Sequence, residues 1–367
     1  MKRVSMTKST MIALVSAIFF VGCSKNDNAS EQEQTTSLTT ITSARSAEQQ
    51  SIEGTIANFY ECLKKLKPTG FSDFFYDNFF LSSATTQGKT WYTYLSQKFQ
   101  RQYARRGFVY ENVKGTYTWN SATQSWDKTA ENTNVTLHFP KNNTATTNNS
   151  TIVIEDYAGV IIGKINLPTK GKFTATVEGK KVMEVDIQGI NYGFIPTFVT
   201  DANIVVYGAP FTTKISLKKN GNAYDFSSVT SAPDGCTTTV DGVINLTNNS
   251  AISPDKVNFK DIAFANFKDA TFNVKFEDLT IKATADVEGL KNLNKEKYTA
   301  QELNTFVKVE VLSNNKKVAD LIYNEDGNGK YDPDLVLTDG TSSKAANYFS
   351  YFSNKVKHVF RTIFGLN

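Results

Sequence analysis

Residues 46–107 carry their apolar side chains at helical spacing. Ile52, Ile56, Phe59, Leu63 and Leu66 form one stripe along residues 46–67, which Pro68 and Gly70 bring to an end. A second helix is predicted near Ser72, with Phe71, Phe74, Phe75 and Phe79 as its apolar residues. Trp91, Leu95, Phe99 and Tyr103 predict a third, closed by Gly107. From Phe108 the period changes. GTYTWNSATQSWDKT predicts a hairpin, with Tyr117 and Trp119 on one arm and Trp126 on the other. NVTLHFP, STIVIEDYAG, KFTATVEG, KKVMEVDIQGI, ANIVVYG, TTKISLKK, TTTVDGVINL and TFNVKFEDLTIKATADV continue as strands, with turns of Asn, Gly and Asp between them. The crossover helices that parallel strands require are missing, so antiparallel pairing is expected. TAQELNTF predicts a short helix over residues 299–306. Phe349, Phe352, Val356, Val359, Phe360 and Ile363 then give the final segment an apolar stripe.

The expected fold class is therefore α+β. N-terminal helices occupy residues 46–107, and a large antiparallel β region, a sandwich or a strongly curved sheet, occupies 108–343. A C-terminal amphipathic helix over 344–367 packs on that sheet. Composition agrees with β-rich structure: aromatic residues reach 12%, with 26 Phe and 16 Tyr. The chain has 367 residues, 40% of them hydrophobic, enough for one large or two modest domains with a proper core.

The first residues read differently. MKRVSMTKSTMIALVSAIFFVGC begins with a short basic region, continues through an apolar run from Met11 to Gly22, and reaches Cys23 as the chain turns polar. A helix of that run covers roughly 18 Å at 1.5 Å per residue, short of a bilayer core of about 30 Å. It reads as a signal-peptide core over residues 1–22. FVGC resembles the lipobox of bacterial lipoproteins, and the resemblance implies that Cys23 is lipidated and becomes the new N-terminus. Residues 23–45 are poor in large apolar side chains and are expected to form a disordered tether. The tether is similar to those of Bacteroidota lipoproteins, with Lys25 and Asp27 after the cysteine and Ser24 beside it. That likeness implies outer-membrane anchoring on the periplasmic or the cell-surface side. LPTKGKFTATVEGKKVMEVDI resembles a stretch of Bacteroidota envelope lipoproteins and brings no activity with it.

Removal of the leader changes the charge. The formal net charge is +4, and Lys2, Arg3 and Lys8 supply three of it, leaving +1. A nearly neutral chain offers no electrostatic case for nucleic acid. Lys98, Arg101, Arg105 and Arg106 make the one basic cluster. The first three share a helix face that either meets lipid phosphates or is simply solvated.

Candidate chemistry is sparse. The two histidines, His138 and His358, lie in no HxH or HExxH pattern, and no GxSxG, P-loop or dinucleotide glycine motif occurs. Cys62 and Cys236 are the thiols left to the folded part. In an oxidising compartment they either pair as a disulfide or stay buried and free. Glu155/Asp156 and Glu277/Asp278 are adjacent in predicted strands, so each pair should point to opposite faces. NEDGNGKYDPDL, residues 324–335, is richer. Asn324, Asp326, Asn328, Asp332 and Asp334 place oxygens on one short loop around Gly329, as a calcium site requires. DGNGKYD resembles a dockerin loop. Yet position twelve is Leu335, and VADLIY before and LVL after read as strands, which makes a plain hairpin loop the competing reading.

The expected function is an envelope-anchored lipoprotein that binds a lipid, glycan or protein, or serves structurally, held to the membrane through its N-terminal lipid. No cofactor is implied apart from the candidate calcium. The rival expectation is a hydrolase whose carboxylates come together from distant positions.

Overall fold

The computed structural model describes residues 46–67, 69–71, 74, 109–123, 125–141, 145–162, 165–193, 199–247, 267–295, 298–325, 331, 333–345 and 348. The leader, Cys23, the second and third N-terminal helices apart from Phe71 and Phe74, the basic cluster, His358 and the C-terminal stripe lie outside these residues.

The protein is mostly β, and the α+β expectation is corrected. The described residues form sixteen strands and three α-helices: α1 (Ala47–Lys64), α2 (Val287–Asn292) and α3 (Ala300–Phe306). The strands are β1 (Gly115–Asn120), β2 (Ser125–Ala130), β3 (Val135–Phe139), β4 (Ser150–Ile162), β5 (Ile165–Val177), β6 (Lys180–Tyr192), β7 (Val199–Gly208) and β8 (Phe211–Asn220). They continue with β9 (Ala223–Ser231), β10 (Thr237–Leu246), β11 (Phe267–Phe276), β12 (Leu279–Asp286), β13 (Val307–Ser313), β14 (Lys316–Ile322), β15 (Asp334–Leu337) and β16 (Ser342–Lys344). All belong to one sheet whose order follows the chain from β16 to β3 and ends β1-β2. A sandwich needs strands that leave for a second sheet by long connections. Here two-residue turns such as Glu178–Gly179, Gly221–Asn222 and Asn314–Asn315 return strands to their chain neighbours, and the longer connections lead back to the same sheet. Left-handed φ at Glu178, Gly179, Asn314 and Asn315 makes two of these turns possible.

Two compact units make up the described residues. One is built of β1–β9, the other of α1–α3 and β11–β16, and β10 is divided at Asp241/Gly242.

In the first unit β1 and β2 form the predicted hairpin, with Trp119 opposite Trp126 and their rings edge-on at 5.5 Å. Asn120 Oδ1 accepts from the Ala122 and Thr123 amides and so shapes the turn. β3 then pairs parallel with β1, against the expectation of purely antiparallel order. The strand period of two puts Val135, Leu137 and Phe139 on the buried face with Ile152, Ala175 and Val182, where Phe74, Tyr110 and Val113 pack on them. A bulge between Glu155 and Ala158 holds Asp156 at a φ of 53°. It redirects Tyr157, whose ring stacks on Tyr110 at 5.2 Å and lies over Gly171.

In the second unit β12, β13 and β15 alternate buried and more exposed positions, while β14 breaks the period by burying both Val318 and Ala319 beside a bulge at Val311/Leu312. Leu279, Ile281 and Ala283 face inward beside Val307, Val309 and Val311, and Ala319, Leu335 and Leu337 extend that face. α1 brings its apolar stripe to the unit. Ile52, Ile56, Phe59 and Leu63 are buried, Phe59 meets Phe276 at 5.6 Å, and the Ser51 and Ser313 hydroxyls share a hydrogen bond of 2.5 Å. Its N-terminus is closed reciprocally: the Gln49 amide donates to Ser46 Oγ and the Ser46 amide to Gln49 Oε1.

Gly242 fits where no side chain would. A Cβ there would stand 2.5 Å from Phe272 Cδ1 and from the Thr271 carbonyl oxygen. Gly242→Ala is therefore expected to destabilise the unit by about 1–3 kcal/mol through overpacking, read as a lower denaturation midpoint with an unchanged slope. An unaltered midpoint would show that the strands part at no cost.

Candidate functional site

The oxygen-rich stretch closes a hairpin. β14 and β15 pair antiparallel from Ala319↔Leu337 to Ile322↔Asp334, and a further bridge joins Glu325 to Tyr331. Of its five candidate ligands, Asp326, Asn328 and Asp332 lie outside the described residues. Asn324 and Asp334 are brought together at the neck, where the Asn324 amide nitrogen donates to Asp334 Oδ2 at 2.9 Å. Lys344 Nζ stands 3.0 Å from Asp334 Oδ1 as an ion pair that is not aligned as a hydrogen bond. A cation entering the neck would compete with Lys344 for that carboxylate.

α3 clamps the same neck. Asn304 spans the Tyr323 backbone, donating to its carbonyl and accepting from its amide, both at 2.8 Å. The Tyr331 hydroxyl donates to the Tyr298 carbonyl at 2.6 Å, and the Ala300 amide donates to Glu325 Oε1 at 3.1 Å. Thr299 and Glu302 form a capping box, and Lys295 pairs with the Glu302 carboxylate. The bond from Lys295, with help from the Thr299 amide, holds the Glu302 carboxyl below the usual carboxylate range. Burial pushes the Tyr298, Tyr323 and Tyr331 phenols upward, and nearby acids add to this at Tyr298 and Tyr331. The Tyr323 and Tyr331 rings meet edge-on at 6.4 Å.

Other sequence candidates fall elsewhere. His138 Nδ1 shares a hydrogen bond of 3.1 Å with Thr151 Oγ1 across β3 and β4. Cys62 lies on α1 and Cys236 just before β10, and both are disulfide-bonded. Glu277 and Asp278 are the turn between β11 and β12, which corrects their placement in a strand. Asp156 sits in the bulge, so the strict alternation expected for Glu155 and Asp156 does not hold there. Sequence reasoning missed the ion ladder across β4–β6, where Lys172 lies 3.9 Å from Glu155 and 3.5 Å from Glu184, and Lys181 lies 3.3 Å from Glu184. Only register reveals it. The capping box was also missed, although the spacing of Thr299 and Glu302 in TAQELNTF carries its signal.

Among the described residues no group of three or more His, Cys, Asp or Glu is placed to hold a metal ion, and no helix is long and apolar enough to cross a membrane. No protein-family model, curated protein or solved structure matches the chain.

The tyrosines give the neck a pH dependence. The unfolded chain releases phenolic protons near pH 10, while the folded values of Tyr298, Tyr323 and Tyr331 are raised. Rising pH thus favours the unfolded state. Their contribution is complete below about pH 10 and is lost as pH climbs through the folded values. Melting temperature should fall through this alkaline range, and Tyr323→Phe should make the fall shallower. Parallel curves for both proteins would remove Tyr323 as a cause.

Proposed function

We propose that this chain is an envelope lipoprotein, anchored in the outer membrane through Cys23, with a non-enzymatic binding or structural role. The observation that carries the reading is FVGC at the point where the apolar leader stops and a polar tether begins. A tether of this length has a root-mean-square reach on the order of 25 Å, so the folded units stand close to the membrane face. The disulfide-bonded state of Cys62 and Cys236 suits an exported protein. Five carboxylates of the described units are paired with lysines: Glu155 and Glu184 with Lys172, Glu310 and Asp320 with Lys317, Asp334 with Lys344. These pairs support a structural use of the charges.

Cys23→Ala should shift the protein from the membrane to the soluble fraction and remove the mass of the acyl chains. Unchanged fractionation and mass would end the lipoprotein reading. Residues 324–334 we read as hairpin closure, because Lys344 already supplies the cation that Asp334 meets. Millimolar calcium should then leave the melting temperature unchanged. A rise that Asp334→Asn abolishes would establish a calcium site instead.

A further inference from the structure

We propose that the outer part of the β4–β5 ribbon, through its exposed Val160 and Ile161, contacts the headgroup layer of a lipid bilayer. The inference rests on the anchored reading above, which brings the fold to a membrane, and names the part of the fold that touches it.

Pairing sets this ribbon apart from the sheet. β3 accompanies β4 only from Ser150 to Ile154, and β6 accompanies β5 only from Gly171 to Val177. Beyond these points Ala158↔Lys170, Gly159↔Pro168, Val160↔Leu167, Ile161↔Asn166 and Ile162↔Ile165 pair with one another alone among the described residues. Pro168 explains part of the separation, since it has no amide proton to offer a further strand. The bulge at Asp156 adds local twist where the ribbon departs. Beyond the ladder, the Tyr192 hydroxyl, which donates to the Pro168 carbonyl at 2.7 Å, ties the base to β6.

A two-stranded ribbon paired only with itself is marginal in water, and on β4 this one leaves aliphatic residues exposed. Ala158, Gly159, Val160 and Ile161 are all exposed, Ile161 by 67% and Val160 by 38%. Between Tyr157 and Lys170 the sequence AGVIIGKINLPT holds Lys164 as its single charge, with no aromatic residue and no Arg. Protein interfaces are anchored by aromatic and Arg side chains seated in pockets. Exposed aliphatic side chains at Val160 and Ile161, with the exposed Lys170 at the base of the ribbon, match instead a surface that is apolar beneath an anionic layer. The open outer edges of the ribbon keep insertion shallow, because unpaired amides and carbonyls need water or headgroups as partners.

The test uses the full lipidated protein with Ile161→Cys, labelled with an environment-sensitive fluorophore. It is reconstituted into vesicles of phosphatidylethanolamine and phosphatidylglycerol, with Lys180→Cys at the opposite end of β5–β6 as the control. At Ile161 the emission should shift to the blue, spin-labelled acyl chains should quench it, and iodide quenching should fall several-fold relative to Lys180. Val160→Asp in the same labelled protein should reverse these changes while leaving the melting temperature intact. A label at Ile161 that stays as open to iodide as the one at Lys180 overturns the proposal. So does protection that appears without vesicles and tracks dimer formation, which would make a second copy the occupant. Failure of the anchored reading shows separately, as a wild-type mass lacking acyl chains. The same labelled chain mixed with vesicles still reports whether the ribbon inserts.

Discussion

Everything in this protein depends on strands being returned to their immediate chain neighbours. A strand leaves half its amides and carbonyls pointing sideways on each edge, and these must be paired or solvated. Short turns answer that demand locally. Glu178–Gly179 and Asn314–Asn315 adopt left-handed backbone, which matches the twist of the strands they join, and pairing begins again one residue later. Repetition of this step gathers the described strands into one long meandering sheet.

Register then decides what each face does. Because side chains alternate with a period of two, a slip of one residue would exchange the faces. In the second unit the inward row is aliphatic and takes the apolar stripe of α1, while the opposite row carries Glu310, Lys317 and Asp320. In the first unit the same logic gives a buried row capped by Phe74, Tyr110 and Val113, and a polar row in which Lys172 sits between Glu155 and Glu184. Such half-exposed ion pairs contribute little individually. Their effect is to keep a broad polar face soluble and in register.

The neck at Asn324 and Asp334 shows the same economy of partners. Asn324 and Asp334, two of the five residues that suggested a metal site, hydrogen-bond to each other at the neck of the hairpin, and α3 holds that neck through Asn304 and the Ala300 amide bonded to Glu325. The β4–β5 ribbon is the contrast. Among the described residues its outer rungs pair only with one another, and Val160 and Ile161 stand exposed on it.

By itself the sequence determined the local features: helix α1 from its 3.6-residue stripe, α3 from the run TAQELNTF, the Trp119/Trp126 hairpin, and the strand on each side of residues 324–334. These follow from periodicity and turn chemistry, which act over a few residues. It also carries FVGC, on which the proposed lipid anchor rests. The tertiary structure alone decided that the strands form one sheet and not a sandwich, that β3 lies parallel to β1, and that Glu277 and Asp278 are a turn. It also decided that Glu155, Lys172 and Glu184 meet, and that the β4–β5 ribbon runs past its neighbours. Each of these depends on which distant backbone groups pair and at what offset. A hydrophobic pattern is the same whichever partner satisfies it, so only the assembled ladder can choose.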